Sequence, residues 1–434
     1  MSASDRFDRD FGGVLADFAQ PHYPDYFDDV LAVALRPSQR PWWTFLERWL
    51  PMSAIALPQR TGMPRLWRTI GVLALLAVLL GAALFVAGSH HRLPPPFGLA
   101  ANGSIVYASH GDIYVRSAGP ASDRLVVGGS AVDGVPSYSR DGTHLMFIRF
   151  NQDGTDTASL MVAGVDGSDV RVLVKDSLFE SASWSPSGTE LAVIVDNGGV
   201  AELRILDVDG EAAPRTLEMG VEPHGWVDWR PPDGRELIFR GRSGPDAFAI
   251  YSVSPEGGEP TRVSRVGNSE FWLGSFSLAP DGSRMTFTGW MGQRVSLQVL
   301  DLAMGGAPRR MFEKLPPPAE DLGSGRVHDG DGVYSPDGRM MVFGRYWDEH
   351  DGKVNHQLWM ASADGDGRDA VPITPVTRSQ GGVNPYGQVF SPDASRVVIR
   401  VDPSRTAFVL DPRTGSTEPL EWSEGTPGWQ RLAR

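Results

Sequence analysis

Two stretches of the chain, SWSPSGTELAVI (183–194) and VYSPDGRMMVFG (333–344), carry the pattern that decides the fold. Each begins with a short strand, continues through a Ser-Pro-Asp-Gly-like turn and ends in a strand that is almost entirely apolar. In such a turn Pro fixes φ, Asp accepts backbone hydrogen bonds and Gly adopts a positive φ. An apolar strand without alternation is typical of a strand that is covered on both faces. The pattern therefore predicts a strand, a tight turn and a buried strand.

The same pattern recurs along the chain, and such recurrence indicates a repeat architecture. Further copies are SYSRDGTHLMFI (137–148), DWRPPDGRELIF (228–239), SLAPDGSRMTFT (277–288), VFSPDASRVVIR (389–400) and a truncated ANGSIVYAS (101–109). Successive turns are about 40 to 56 residues apart, a spacing that suits one four-stranded propeller blade per copy. Each copy is followed by a third strand, such as ELRILDV, and then by a more polar fourth strand, such as VRVLV. The more polar fourth strand suits the exposed outer edge of a blade.

The first copy lacks the strand that should precede its turn, and the missing strand is found at the other end of the chain. Residues 426–430, TPGWQ, match the first strands of the other copies and are followed by no turn. We expect this segment to complete the first blade and close the ring, since an open ring leaves two sheet edges unpaired. The fold class is thus an all-β, seven-bladed propeller of four-stranded antiparallel blades over residues 100–434. Six blades are the alternative if the first or last unit is not a true blade.

At this level the repeats resemble those of TolB-type propellers, which also occur in the propeller domain of prolyl-oligopeptidase-like peptidases. The resemblance covers residues 100–434 and implies the propeller fold. It does not imply one function, because propellers of this kind serve as protein-binding platforms, gates and sensors.

Residues 66–88 are predicted to form a single transmembrane helix. The 18 residues 70–87 carry no charge and, at about 1.5 Å rise per residue, nearly cover a hydrocarbon core of about 30 Å. A cleaved signal peptide is disfavoured because a long segment precedes the run. The arginines on its N-terminal side are Arg48, Arg60, Arg65 and Arg68. Because positive flanks stay in the cytoplasm, residues 1–65 are predicted inside the cell and residues 89–434 outside, at the inner or plasma membrane.

The segments on either side of the span have distinct compositions. The Pro-rich residues 89–99 predict a stiff, extended linker. In the cytoplasmic segment, residues 24–36 have the pattern of an amphipathic helix, and residues 41–50 are amphipathic with three Trp. The second stretch predicts either a helix lying on the inner leaflet or a helix that docks on a cytoplasmic protein partner, which could use 24–50.

A helical N-terminus, one span and an outer domain resemble the layout of transmembrane anti-sigma regulators. Zinc-type anti-sigma domains need a His and paired Cys, whereas this chain has no Cys and only His22 in that region. The resemblance therefore implies a regulator without the zinc motif.

Charge and motif content exclude several functions. The chain has a formal net charge of −13, and the excess of acidic residues lies beyond residue 68. An acidic outer domain repels phosphate, so nucleic acid is not an expected partner. Without Cys, disulfides and thiolate chemistry are excluded. There is no Gly-x-Ser-x-Gly elbow and no phosphate-binding or dinucleotide-binding fingerprint. We therefore expect no enzyme activity and no cofactor.

Two other patterns suggest metal binding only superficially. Residues 329–332 and 364–369 are rich in Asp and Gly but lack the downstream Glu of a calcium loop, so Asp- and Gly-rich hairpin turns are expected. His350 and His356 are expected to be solvated loop residues rather than ligands. No metal site is predicted.

The aromatic residues at one repeat position, among them Trp184, Trp229 and Tyr138, are expected to pack between blades. The candidate binding residues instead lie in the loops before the first strand of each blade, which should surround one mouth of the channel. They are Phe179, Glu180, Glu222, His224, Phe271, Trp272, Arg326, His328, Asn384 and Tyr386. The sequence thus predicts a membrane-anchored module that binds or senses a protein, peptide or glycan, with an envelope scaffold as the alternative.

Overall fold

A computed structural model gives the structure of the chain. It describes residues 73–76, 93–117, 123–196, 198–244, 248–264, 276–291, 294–317, 327–348, 354–379, 389–401, 406–421 and 424–434. The chain divides into two units, Met1–His90 and His91–Arg434. In the first unit, residues 73–76 are helical. Among the described residues no helix is long and apolar enough to cross a membrane. The predicted segments 1–65 and 66–88 otherwise lie outside the described residues.

The first sheet of the second unit joins the two ends of that unit. Its strands are β1 (Ala101–Ser109), β2 (Asp112–Arg116), β3 (Asp123–Val127) and β28 (Glu424–Leu432), in the order β28-β1-β2-β3. Strand β28 runs antiparallel to β1, with Gly428 opposite Val106 and Trp429 opposite Ile105. The Gln430 side chain also donates to the Gly142 carbonyl at 2.8 Å. The prediction that 426–430 complete the first blade is confirmed.

The second and third repeats form one seven-stranded antiparallel sheet. Its strands are β4 (Val132–Tyr138), β5 (His144–Phe150), β6 (Ala158–Gly164), β7 (Arg171–Trp184), β8 (Glu190–Asp196), β9 (Ala201–Asp207) and β10 (Arg215–Thr216). The first half of β7, up to Ser177, pairs with β6, and the second half, from Leu178, pairs with β8. The fourth strand of one repeat thus continues directly into the first strand of the next.

Four further sheets follow the blade pattern of four consecutive antiparallel strands. One is β11 (Glu222–Trp229), β12 (Leu237–Arg242), β13 (Phe248–Val253) and β14 (Thr261–Arg262). The next is β15 (Phe276–Leu278), β16 (Arg284–Met291), β17 (Arg294–Asp301) and β18 (Arg309–Arg310). A third is β19 (Val327–Tyr334), β20 (Met340–Asp348), β21 (Val354–Ser362) and β22 (Val371–Pro372), with β23 (Thr377–Ser379) also paired to β21. The last is β24 (Val389–Phe390), β25 (Val397–Val401), β26 (Thr406–Leu410) and β27 (Thr417–Leu420).

The chain is therefore an all-β propeller of four-stranded antiparallel blades, as predicted, but the expected seven separate blades are not found. The described residues form five separate blades and the seven-stranded sheet. The reason is local: the connection between the second and third repeats, KDSLFE at 175–180, contains no Gly or Pro to end the strand. The six-bladed alternative assumed that an end unit is not a blade. That assumption is wrong, since the first and last units both form four-stranded sheets.

The core lies between neighbouring repeats. Each buried hydrophobic cluster of the described residues combines side chains of two consecutive repeats; in one, Val106 of β1 joins Tyr138 of β4. Another joins Val398 of β25 to Tyr107 of β1, so the last repeat packs on the first. The outermost strands are short; β10, β14, β18 and β22 have two residues each. Short outer strands limit edge-to-edge association of a sheet.

The repeated turn has the predicted chemistry. In the turn of the second repeat the Asp141 carboxylate accepts from the Thr143 amide at 3.1 Å, and Gly142 has φ 75°. The sixth-repeat turn repeats this with Asp337, which accepts from the Arg339 amide at 3.1 Å. The last turn places Ala394 at the Gly position, with φ 64°.

Candidate functional site

The first strands of the repeats surround a cavity of 590 Å³. Every one of these strands contributes, and representatives are Ser137, Ser183, Asp228, Ser277, Tyr334, Phe390 and Gly428. Asp228 of the fourth repeat accepts from the Ser183 hydroxyl of the third at 2.5 Å and lies 3.4 Å from Arg140 of the second, so this acid connects three repeats. The cavity is thus lined by both polar and aromatic groups.

The turn end of this cavity is bordered by the segment that precedes β1. The Ala100 amide donates to the Pro392 carbonyl at 2.9 Å, and the Arg431 side chain donates to the Gly98 carbonyl at 2.7 Å. The Arg140 guanidinium lies 4.5 Å from the centre of the Phe97 ring. Phe97 and Gly98 also line the cavity. The described part of the predicted linker therefore packs on the propeller at its turn end.

The opposite end carries the candidate binding residues that the structure describes. Glu180, Glu222, His224 and His328 lie in strands β7, β11 and β19, close to where repeats begin, rather than in loops. Phe179 is partly buried against the core between the second and third repeats. The loop placement predicted for these residues is wrong, because the first strands start earlier than the turn-based pattern indicates. The others, Phe271, Trp272, Arg326, Asn384 and Tyr386, lie outside the described residues.

A bulge in β11 brings Glu180 and His224 together. Strand β11 shifts register between Pro223 and Val227, and Gly225 within the bulge has φ 82°. This exposes the Gly225 amide, which donates to Glu180 Oε2 at 2.6 Å. His224 Nδ1 lies 3.2 Å from Glu180 Oε1. The acid from one repeat therefore holds the strand of the next.

Beside this contact, two arginines of β12 surround one aromatic ring. Arg242 makes an ion pair with Glu222 through its Nη2, at 2.5 Å. The Phe248 ring centre lies 4.0 Å from the Arg240 guanidinium and 5.8 Å from that of Arg242. The His224 ring centre is 5.2 Å from that of Phe248. We call this group the rim cluster: Glu180, Glu222, His224, Arg240, Arg242 and Phe248.

The pairing of Glu222 with Arg242 is one case of a device that recurs in the repeats. At the corresponding cross-strand positions Asp133 pairs with Arg149 at 2.8 Å, and Asp329 pairs with Arg345 at 2.8 Å. The last pair is buried on both sides, with each side chain 4% exposed. The sequence analysis did not predict these pairs, in each of which an acid of the first strand lies opposite an Arg of the second strand.

Residues 329–332 are part of this device. The expected Asp- and Gly-rich hairpin turn is wrong here: the segment lies within β19, and Asp329 bonds to Arg345 and Arg310. Residues 364–369 do form the expected turn between β21 and β22, where the Asp369 carboxylate accepts from the Ser362 amide at 2.9 Å. No group of three His, Cys, Asp or Glu in the described part of the chain could hold a metal ion.

His356 also differs from its prediction. It lies in β21 with 1% of its surface exposed, not in a solvated loop, while His350 lies outside the described residues. Its ring stacks on Tyr346, which stacks in turn on His328. Burial lowers the pKa of His356 to about 4. The neutral imidazole therefore belongs to the core.

The aromatic residues at the repeated position pack between repeats as predicted. Trp184 is 4% exposed and its indole nitrogen donates to the Ser137 hydroxyl of the preceding repeat at 3.1 Å. Trp229 is 3% exposed and donates to the Ser183 carbonyl at 3.1 Å. These side chains connect neighbouring repeats.

Comparisons with known proteins establish the fold and not the family. No protein-family model matches the chain, and no curated protein matches it. A solved structure from an analysis of two prolyl endopeptidases shares 12% sequence identity with this chain, with a TM-score of 0.52. The match covers 75% of this chain and 50% of that one. A protein from Lactobacillus plantarum is 15% identical with a TM-score of 0.51, over 76% of this chain and 100% of that one. TolB from Acinetobacter baumannii is 15% identical with a TM-score of 0.46, and the match covers 77% of this chain and 81% of that one.

Solved structures with this fold thus include TolB-type proteins and enzymes. An oligogalacturonate lyase in complex with manganese is another, at 13% identity and a TM-score of 0.50, over 74% of this chain and 85% of that one. Identities this low show a common fold alone, so the activity has to be argued from this chain's own residues.

Proposed function

We propose that this protein is a membrane-anchored, extracytoplasmic β-propeller that binds or senses a ligand and is not an enzyme. The observation that carries the proposal is the closed ring, with a lined central cavity and a charged, aromatic rim cluster at one end. Rigid rings that present polar and aromatic groups at a mouth are suited to recognition.

The membrane anchor is supported by the sequence of residues 66–88, within which the 18 residues 70–87 carry no charge and nearly cover a hydrocarbon core of about 30 Å.

The non-enzymatic role is supported by the composition of the rim cluster. Its two carboxylates are each in contact with a cationic or ionisable partner, Glu222 with Arg242 and Glu180 with His224. The cluster contains no Ser, Thr or Cys that could act as a nucleophile. Charged and aromatic groups of this kind are suited to the recognition of polar ligands. Screening the full-length protein for hydrolase and lyase turnover tests this part, and reproducible turnover would refute it.

Anchoring is tested by fractionating cells after an alkaline wash. The full-length protein should remain with the membranes, and a variant lacking 66–88 should be released. Replacing 66–88 with an unrelated Leu-Ala span of the same length is the matched control and should restore retention. Release of the wild-type protein would refute anchoring.

Binding is tested by cross-linking in intact cells followed by purification of the full-length protein. A sensing module should capture an outer ligand and lose an intracellular response when 1–65 is deleted, with capture unchanged. The envelope scaffold alternative predicts stable stoichiometric partners and no response. An anti-sigma-like regulator, the third possibility from the sequence, predicts a sigma factor captured through 1–65.

A further inference from the structure

The rim cluster contains two carboxylates, Glu180 and Glu222, and two guanidinium groups, Arg240 and Arg242. Glu222 is bonded to Arg242, and both Nε and Nη2 of that Arg donate to the same oxygen, at 3.1 and 2.5 Å. Glu180 is engaged with His224 and with the Gly225 amide. Both acids of the cluster are therefore committed to other groups.

Arg240 is the guanidinium that remains. Within the described part of the chain its Nε is buried without a hydrogen-bond acceptor, and it makes no ion pair with a described carboxylate. Burial lowers the pKa of Arg240, and the negative charge of Glu180 opposes that shift. A guanidinium offers five N–H donors and stays charged, so leaving it partly buried without an acceptor is costly.

Comparison with the other repeats shows that Arg240 is not required for the usual pairing. Arg149 and Arg345 each bond the acid of the neighbouring strand, and Arg242 has that position here. Arg240 lies two residues earlier on β12, and its guanidinium is stacked on Phe248 at 4.0 Å. The stacking fixes the plane of the guanidinium, which favours two-point bonding to a planar carboxylate.

We propose that Arg240 binds the carboxylate of a small organic acid at the rim of the propeller. The ligand class follows from the hydrogen bonding: a single guanidinium whose Nε has no acceptor among the described residues matches a single carboxylate rather than a polyanion. The Phe248 ring, whose centre lies 4.0 Å from the Arg240 guanidinium, is the aromatic neighbour for the remainder of such a ligand. This inference rests on the binding function proposed above and names its ligand.

The test measures binding of benzoate and of its neutral isostere benzamide to the full-length protein by isothermal titration calorimetry. Wild-type protein should prefer benzoate. Arg240→Gln should weaken benzoate binding by about 10-fold to 100-fold, the range typical of charge-assisted hydrogen bonds, and leave benzamide unchanged. Glu180→Gln should strengthen benzoate binding by roughly a few fold, because it removes a nearby negative charge.

Arg235→Gln is the matched control. Arg235 lies on the turn of the same blade and its side chain is 85% exposed, so this variant changes the net charge equally and should bind benzoate as wild type does. Thermal melting of each variant checks folding. The opposite direction expected for Glu180→Gln keeps the test decisive even if Arg240→Gln unfolds.

Three outcomes overturn the proposal: no benzoate binding at millimolar concentration, equal binding of benzoate and benzamide, or equal binding by wild type and Arg240→Gln. Binding of tri-glutamate through Arg240 without benzoate binding would identify an acidic peptide instead and also overturn it. Failure of the fractionation and cross-linking experiments would refute anchoring or partner capture while leaving this titration intact.

Discussion

The buried pair of Asp329 and Arg345 gives a quantitative test of how the propeller is held together. We predict that Asp329→Asn destabilises the protein by about 3–5 kcal/mol, the cost typical of removing one partner from a buried ion pair. The structure supports a value in this range because both side chains are 4% exposed. Burial lowers the pKa of Arg345 while Asp329 raises it, so the acid offsets part of the cost of burying the guanidinium.

Arg345 would keep two other contacts in that variant. Its Nη1 donates to the Pro316 carbonyl at 2.6 Å, and the guanidinium lies 4.7 Å from the centre of the Trp359 ring. These contacts place the expected loss at the lower end of the range, about 3 kcal/mol. With an unfolding entropy of about 2.1 cal/mol/K per residue, the melting temperature of His91–Arg434 should fall by roughly 4–5 °C.

The assay is urea unfolding of the full-length protein followed by tryptophan fluorescence, with thermal melting alongside. Asp233→Asn is the control, because its partner Arg235 is largely exposed and such surface pairs contribute about 0–1 kcal/mol. The double variant Asp329→Leu with Arg345→Met should recover most of the loss, since no charge remains buried. A loss below about 1 kcal/mol for Asp329→Asn would refute the reasoning.

Four further predictions concern pH, two turns and ring closure. Burial lowers the pKa of His356 to about 4 in the folded protein, so the contribution of this residue to stability should be complete above pH ~6.5. As the pH falls from there towards 4, the free energy of unfolding should decrease by about 3 kcal/mol. His356→Leu should remove this pH dependence, measured by urea unfolding at several pH values. Gly282→Ala forces a Cβ against a neighbouring carbonyl at φ +69°, so it should cost more than Gly210→Ala, which meets open space at φ +74° and should cost about 1–2 kcal/mol. At the equivalent turn Ala394→Gly should stabilise by up to about 1 kcal/mol, and a loss in thermal melting would contradict this. Deleting 424–434 removes β28 and exposes the edge of β1. Light scattering should then show aggregation in place of cooperative unfolding. A deletion variant that stays monomeric and unfolds cooperatively would rule out ring closure as a source of stability.

The candidate site was predictable in part. The sequence predicted Glu180, Glu222 and His224 in loops around one mouth of the channel; the structure places them in strands, where Glu180 contacts His224 and Glu222 bonds to Arg242. It could not identify Arg240, because an Arg inside a strand pattern has no local signal. Whether Arg240 lacks an acceptor depends on which carboxylates are already bonded to the neighbouring residues, and the folded structure decides that.

The same division applies to His356. Its flanking sequence, with charged and polar residues on one side, is typical of a loop, yet the side chain is almost fully buried. Pairing of β21 with both β20 and β23 covers it. Such coverage depends on strands far apart in the sequence, so periodicity within one segment cannot reveal it.

By itself the sequence determined the repeat, its turn chemistry and the closure of the ring by residues 426–430, because each depends on local φ preferences and on strand patterns that recur along the chain. Only the tertiary structure decided that the second and third repeats share β7 and which acid neutralises which arginine. Strand continuity and ion pairing depend on distances between side chains from different strands. Those distances are set when the repeats pack together around the axis.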